Sequence, residues 1–142
     1  MATGEDVAVI IVDEIDTAVA GLTKGTNLFR GPMRAVDPDD SSMPALACFV
    51  DVSGGEAPQV YLDGGSGENL QIPGIQIMVR SNAKNRTSGK TIADEVYAAT
   101  KKINETGILL GTEADQSSPF YLGDDETGHH MWSINLTAYY RG

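Results

Sequence analysis

The apolar positions of the chain follow two periods. Along "IQIMVRS", Ile75, Ile77 and Val79 alternate with Gln76, Met78 and Arg80, the two-residue period of a strand with one buried face. "ALACFVDV" repeats the pattern with Leu46, Cys48, Val50 and Val52 on one face. Near the end of the chain, Trp132, Ile134 and Leu136 alternate with Ser133, Asn135 and Thr137, which predicts a long strand after a turn. Helical spacing governs two other stretches. In "TGEDVAVIIVDEIDTAVAGLTKGTN", Ile11, Ile15, Ala18, Val19 and Leu22 share a face. Thr3 with Asp6 resembles a capping box, and Gly25 is the expected stop. The β-branched run from Val7 to Val12 also fits a strand. In "SGKTIADEVYAATKKINETG", Ile92, Val96, Ala99 and Ile103 form the stripe. Ser88 is the expected N-cap, Lys101 and Lys102 suit the negative end of the helix dipole, and Gly107 is the expected stop.

Between these elements lie a turn-rich stretch, "GPMRAVDPDDSSMP", and the glycine-rich "SGGEAPQVYLDGGSGENLQIPG". The latter reads as a short strand around Val60 to Leu62 with flexible tips at Gly54-Gly55 and at Asp63, Gly64, Gly65, Ser66, Gly67, Glu68 and Asn69. The order helix, strands, helix, strands predicts an α+β fold. It is a single domain over residues 1–142, a mostly antiparallel sheet with two helices packed on it. A chain of 142 residues is long enough for one real core.

Charge narrows the function. Twenty Asp and Glu against ten Lys and Arg give a net charge of -10, which opposes wrapping of the DNA phosphate backbone. It suits a surface past which DNA moves without being held. One cysteine, Cys48, excludes an internal disulfide and fits a reducing compartment. The start of the chain has no basic segment of a secretory signal, and no apolar run is long enough to span a membrane. The expected site of synthesis is therefore the cytoplasm.

Three motifs suggest chemistry and then fail on geometry. "SNAKNRTSGKT" follows a strand and opens a helix, as a phosphate-binding loop does, but the first glycine of that motif falls on Lys84. The simpler reading is a helix start. "GDDETGHH" offers carboxylates and imidazoles for a metal, yet His129 and His130 are adjacent in a predicted strand and leave on opposite faces. Asp124 to Gly128 reads as a hairpin turn with glycine at a positive φ, and His130 as half-buried beside Trp132. "DGGSGEN" lacks the alternating carboxylates of a calcium loop. Cys48 lies in the middle of an apolar strand face, an inert place for a thiol. No cofactor, no metal and no enzymatic activity are expected.

Two stretches carry a family resemblance: "IPGIQIMVRSNAKNRTSGKTIADEVYAATKKI" and "SSPFYLGDDETGHHMWSINLTAYYRG". Together, with the order of elements and the size, they resemble the tail terminator (tail completion, minor capsid) proteins of long-tailed bacteriophages. The resemblance implies a structural virion protein that forms a homo-oligomeric ring, typically hexameric. Such a ring caps the tail tube, ends its polymerisation and offers a docking surface to the head completion or neck protein, and DNA passes through it without specific binding. It implies a place at the head-proximal end of the tail. Seen this way, Arg80, Lys84, Arg86, Asp125, Asn135 and Arg141 are candidates for subunit or partner contacts, and Asp63 to Asn69 for a docking loop. Arg80 and Arg141 fall on the non-core side of their strands, where Arg suits pairing with a neighbour's carboxylates. The competing readings are another neck protein, or a small nucleotide- or metal-dependent enzyme using Lys90 or the His129 region.

Overall fold

The computed structural model describes residues 3–31, 44–60, 69–81, 85–124 and 128–142. In chain order the elements are α1 (Gly4–Ala18), β1 (Leu28–Arg30), β2 (Ala47–Val60), β3 (Asn69–Arg80), α2 (Arg86–Thr100), β4 (Leu109–Ala114), β5 (Phe120–Asp124) and β6 (His130–Arg141). One six-stranded sheet runs β1-β2-β3-β6-β4, and β5 also pairs with β6. Every pairing is antiparallel except β1 with β2. This is the expected α+β fold, with both helices on one face of a mostly antiparallel sheet.

The strand alternation lands as read. Cys48, Val50, Ile75, Ile77, Val79, Trp132, Ile134 and Leu136 are all buried in one core with Val7, Ile11 and Ile15 of α1 and Ala93 and Val96 of α2. The run Val7 to Val12 is helix: it buries Val7, Ala8, Ile11 and Val12 on one side, which a two-residue period would not do.

Helix ends differ from expectation, because tertiary contacts set them. α1 stops at Ala18, not near Gly25. Val19 turns extended and remains buried, and the chain after it is tied back by side chains. Asn27 accepts from the Thr23 N–H at 2.7 Å and donates to Gly21 O at 3.0 Å, while Asp16 accepts from the Lys24 N–H at 3.1 Å. Gly25, with φ 84°, serves that turn. α2 begins at Arg86, with Asn85 rather than Ser88 as its N-cap: Asn85 Oδ1 accepts from the Ser88 N–H at 3.0 Å. It ends at Thr100, well before Gly107. The Thr112 hydroxyl in β4 donates to Thr100 O and accepts from the Ile103 N–H, both at 2.8 Å, so β4 closes the end of α2.

β1 is not legible in the sequence, and β2 is longer than it reads. Instead of a flexible tip, Gly54-Gly55 lies within β2, between the register positions Ser53 and Glu56. Gly55 has φ 65°, and a Cβ there would collide with Ile72 O and Gly74 N across the pair, so the bulge requires glycine. Of the expected docking loop, Asp63 to Glu68 lie outside the described residues, as do Lys84, Asp125 and the end of the short strand read at Val60 to Leu62. Asn69 is already in β3, exchanging backbone hydrogen bonds with Gly142.

Candidate interaction surface

β6 is the longest-reaching organiser of the surface. One of its edges pairs with β3; the other takes β5 along His130–Ser133 and β4 along Leu136–Tyr140. Between β4 and β5 the backbone ladder is interrupted, and Gln116 fills the gap. Its Nε2 donates to Ser133 O (2.7 Å) and Ser118 O (2.8 Å), and its Oε1 accepts from the Asn135 N–H (3.2 Å) and Asn135 Nδ2 (2.9 Å). Tyr97 of α2 donates to the Gln116 carbonyl at 2.9 Å. A single amide side chain thus stands in for a missing peptide unit. Asn135 is engaged here, inside its own chain.

β5 is held down from its helix side. Arg86, at the start of α2, places its guanidinium 4.5 Å from the centre of the Tyr121 ring. The Tyr121 hydroxyl donates to Asp124 Oδ1 at 3.0 Å, and His130 Nδ1 lies 2.8 Å from both that oxygen and the hydroxyl. Burial of the ring and the Asp124 carboxylate raise the Tyr121 hydroxyl above the ordinary tyrosine value, against the opposing pull of Arg86. The Tyr121 ring packs 5.4 Å from that of Trp132, and His130 sits 6.3 Å from Trp132, half-buried as expected. The rest of β5 faces outward: Phe120 is 64% exposed and Leu122 48%, while Tyr121 itself keeps 36% exposure. Phe120 and Leu122 are exposed apolar side chains of the kind that mark interaction sites.

The other sequence candidates are scattered. Arg80 is a correction: it lies opposite the core, as its alternation requires, but is buried, at 3% exposure. Its guanidinium is covered by Pro44, whose carbonyl it meets at 3.4 Å, and by His129, whose Nδ1 it meets at 2.9 Å. That occupancy leaves it poorly placed to reach a neighbouring subunit. Arg86 is exposed and touches β5; Arg141 is exposed at the far end of β6, opposite Leu70. His129 and His130 do diverge, one toward Arg80 and the other toward Asp124. Gly89 is helical, packed against Ser81 and Trp132, and Lys90 pairs with Asp94 at 2.8 Å, so both are committed to α2. Burial raises the Cys48 thiol far above its ordinary range, which makes it unreactive. Among the described residues no group of His, Cys, Asp and Glu is arranged for a metal ion, and no helix is long and apolar enough to cross a membrane.

The features missed by sequence reasoning are Gln116, hidden in the short segment "ADQSS", and the exposure of Phe120 and Leu122. A family model described as bacteriophage tail terminator protein matches residues 38–141, nearly the whole sheet together with α2. The chain belongs to that family. No curated protein matches the chain in a sequence comparison. Membership makes this a structural component of a phage tail and of the virion. The matched stretch begins after α1 and β1 and contains the Gln116 bridge and the exposed β5.

The face of the sheet away from the helices is polar at the β4 end. The Tyr139 hydroxyl donates to Glu113 Oε2 at 3.3 Å, and Thr137 donates to Asp115 Oδ1 at 2.7 Å. Burial, then Glu113, Glu56 and Asp115, raise the Tyr139 hydroxyl above its ordinary value. One of these carboxylates, Glu113, is in hydrogen-bond contact with the tyrosine; Glu56 and Asp115 act on it through their charge alone.

Proposed function

We propose that this tail terminator family member closes a homo-oligomeric ring, hexameric by the family's pattern, on the end of the tail tube. The ring ends tube polymerisation at the head-proximal end, presents a docking surface for a head completion or neck protein, and lets DNA pass. The observation that carries this reading is the family match over residues 38–141. Two features support it. The exposed Phe120 to Leu122 is a surface awaiting a protein partner. The acidic open face, in a chain of net charge -10, repels rather than grips a passing polyanion.

The test is the native mass of the purified chain over a concentration series. The expected outcome is a closed oligomer, a fixed multiple of 15.1 kDa, that does not grow further as concentration rises. A monomer at every concentration, or open-ended polymerisation, would count against a self-closing ring.

A further inference from the structure

The sheet has two ends, and the described residues leave one stretch of unpaired edge at each. At one end, β4 is closed: the Thr112 and Ala114 N–H groups donate to Ile103 O (3.2 Å) and Lys101 O (3.1 Å). β5 has no such cover among the described residues; it pairs with β6 alone. At the other end, β1 pairs with β2 only along Cys48–Val50. Beyond it, from Ser53 to Gln59, β2 is exposed and, among the described residues, bonded only to β3.

The two edges also differ in charge on the helix layer. α1, whose first residue Gly4 lies against Val52 of β2, carries Glu5, Asp6, Asp13, Glu14 and Asp16 and no Lys or Arg. At the opposite end, Arg86 stands over β5, while Lys101 and Lys102, past the last turn of α2, lie beside β4. In a strongly acidic chain, the helix layer thus sets a cation, Arg86, beside the exposed apolar strand and the acidic α1 beside the exposed polar one, where Arg30 of β1 lies 3.9 Å from Glu5.

Taking the ring reading above as its basis, we propose that copies of this chain join head to tail through their sheet edges. β5 of one copy, with Arg86 beside it, adds to the Ser53–Gln59 stretch of β2 in the next, with α1 beside it. Backbone hydrogen bonds across the two unpaired edges supply the pairing, as in strand addition. Phe120 and Leu122 become covered, and opposite charges meet on the helix side. Because the two edges are different surfaces, the contact is heterologous and repeats around a ring; pairing of β5 with its own copy would close a dimer and leave β2 open.

The test uses a chain carrying Leu122→Cys and Gln59→Cys together, treated with a short bis-maleimide. Both positions are exposed, and Cys48, fully buried, stays unlabelled. The expected result is a ladder of covalent multiples ending at the ring size, while each chain with only one of the two added cysteines yields only the one-chain species. A covalent dimer from Leu122→Cys alone overturns the proposal in favour of β5 self-pairing. A double variant that assembles in solution yet gives no ladder overturns it and leaves the ring reading intact, with another protein or surface covering β5. A chain that neither assembles nor cross-links overturns both.

Discussion

Gly89 occupies the first turn of α2, in the segment that imitates a phosphate-binding loop, and its role is steric. A Cβ at that position would lie 2.7 Å from the Trp132 ring and overlap Ser81. Ser81 follows β3 and Trp132 is central to the β5 side of β6, so the glycine lets α2 settle onto both strands at once. Alanine is the better helix former by roughly 1 kcal/mol. Here the overlap outweighs that gain, because neither the backbone-anchored Ser81 nor the packed indole can retreat without disturbing the core. Gly89→Ala is expected to lower stability by about 1–3 kcal/mol. Urea denaturation with tryptophan fluorescence reads this directly, since Trp132 is the sole tryptophan. A variant as stable as the parent would mean that α2 packs farther from the sheet. The same scale explains why Arg80 misleads the sequence reader. Alternation with Val79 places it correctly on the face opposite the core. Its burial comes from Pro44 and His129, 36 and 49 residues away, and no local pattern contains that information.

Among the elements, β5 and β6 form a hairpin whose strands are stabilised differently. β6 buries Trp132, Ile134, Leu136 and Ala138, while β5 exposes nearly everything. Substitutions should separate the two. Phe120→Ser and Leu122→Ser are expected to change the stability of the isolated chain by no more than about 0.5 kcal/mol, since they remove little burial. Trp132→Ala is expected to cost roughly 3–5 kcal/mol. Chemical denaturation followed by far-ultraviolet circular dichroism measures all three; a large loss from Phe120→Ser would place that ring in the core. β3 and β6 are legible in the sequence because their alternation is sustained and one face is fully buried. β1 is not, since three residues define no period. The second half of β2 is missed for another reason. "SGGEAP" has the composition of a turn, and only its partner β3, already straightened by Ile75 to Val79, holds it extended through two register shifts. The helix boundaries fall to tertiary bonds from Asn27 and Thr112, which act across loops and leave no trace in the helical stripe. Of the candidate contact residues, Arg86 is the one that the sequence reading and the exposed β5 share.

At the scale of the whole molecule, acidity and tyrosine placement act together. Tyr121, Tyr139 and Tyr140 each have a hydroxyl raised above 10.0, burial being the largest cause in all three. Carboxylates add to it: Asp124 for Tyr121, Glu113, Glu56 and Asp115 for Tyr139, Asp6 for Tyr140. The neutral phenol is therefore favoured more strongly in the folded chain than in the unfolded one. Below the ordinary tyrosine value, both states hold the proton and the contribution to stability is complete. As pH rises past that value, the unfolded chain ionises first, and stability declines until the folded hydroxyls ionise in turn. The general repulsion of a chain already at -10 grows over the same window, because each phenolate adds another negative charge. The denaturation midpoint is thus expected to hold level up to about pH 9 and to fall as the pH rises past about 10, the ordinary tyrosine value. Tyr139→Phe should fall less steeply than the parent, since it removes the hydroxyl that Glu113, Glu56 and Asp115 act on while keeping the ring. Equal slopes for the two chains would show that Glu113, Glu56 and Asp115 are held away from Tyr139 in solution. Raised ionic strength tests the same point independently: it should flatten the fall of both chains by screening the exposed carboxylates, and leave the difference due to the buried part of the ring.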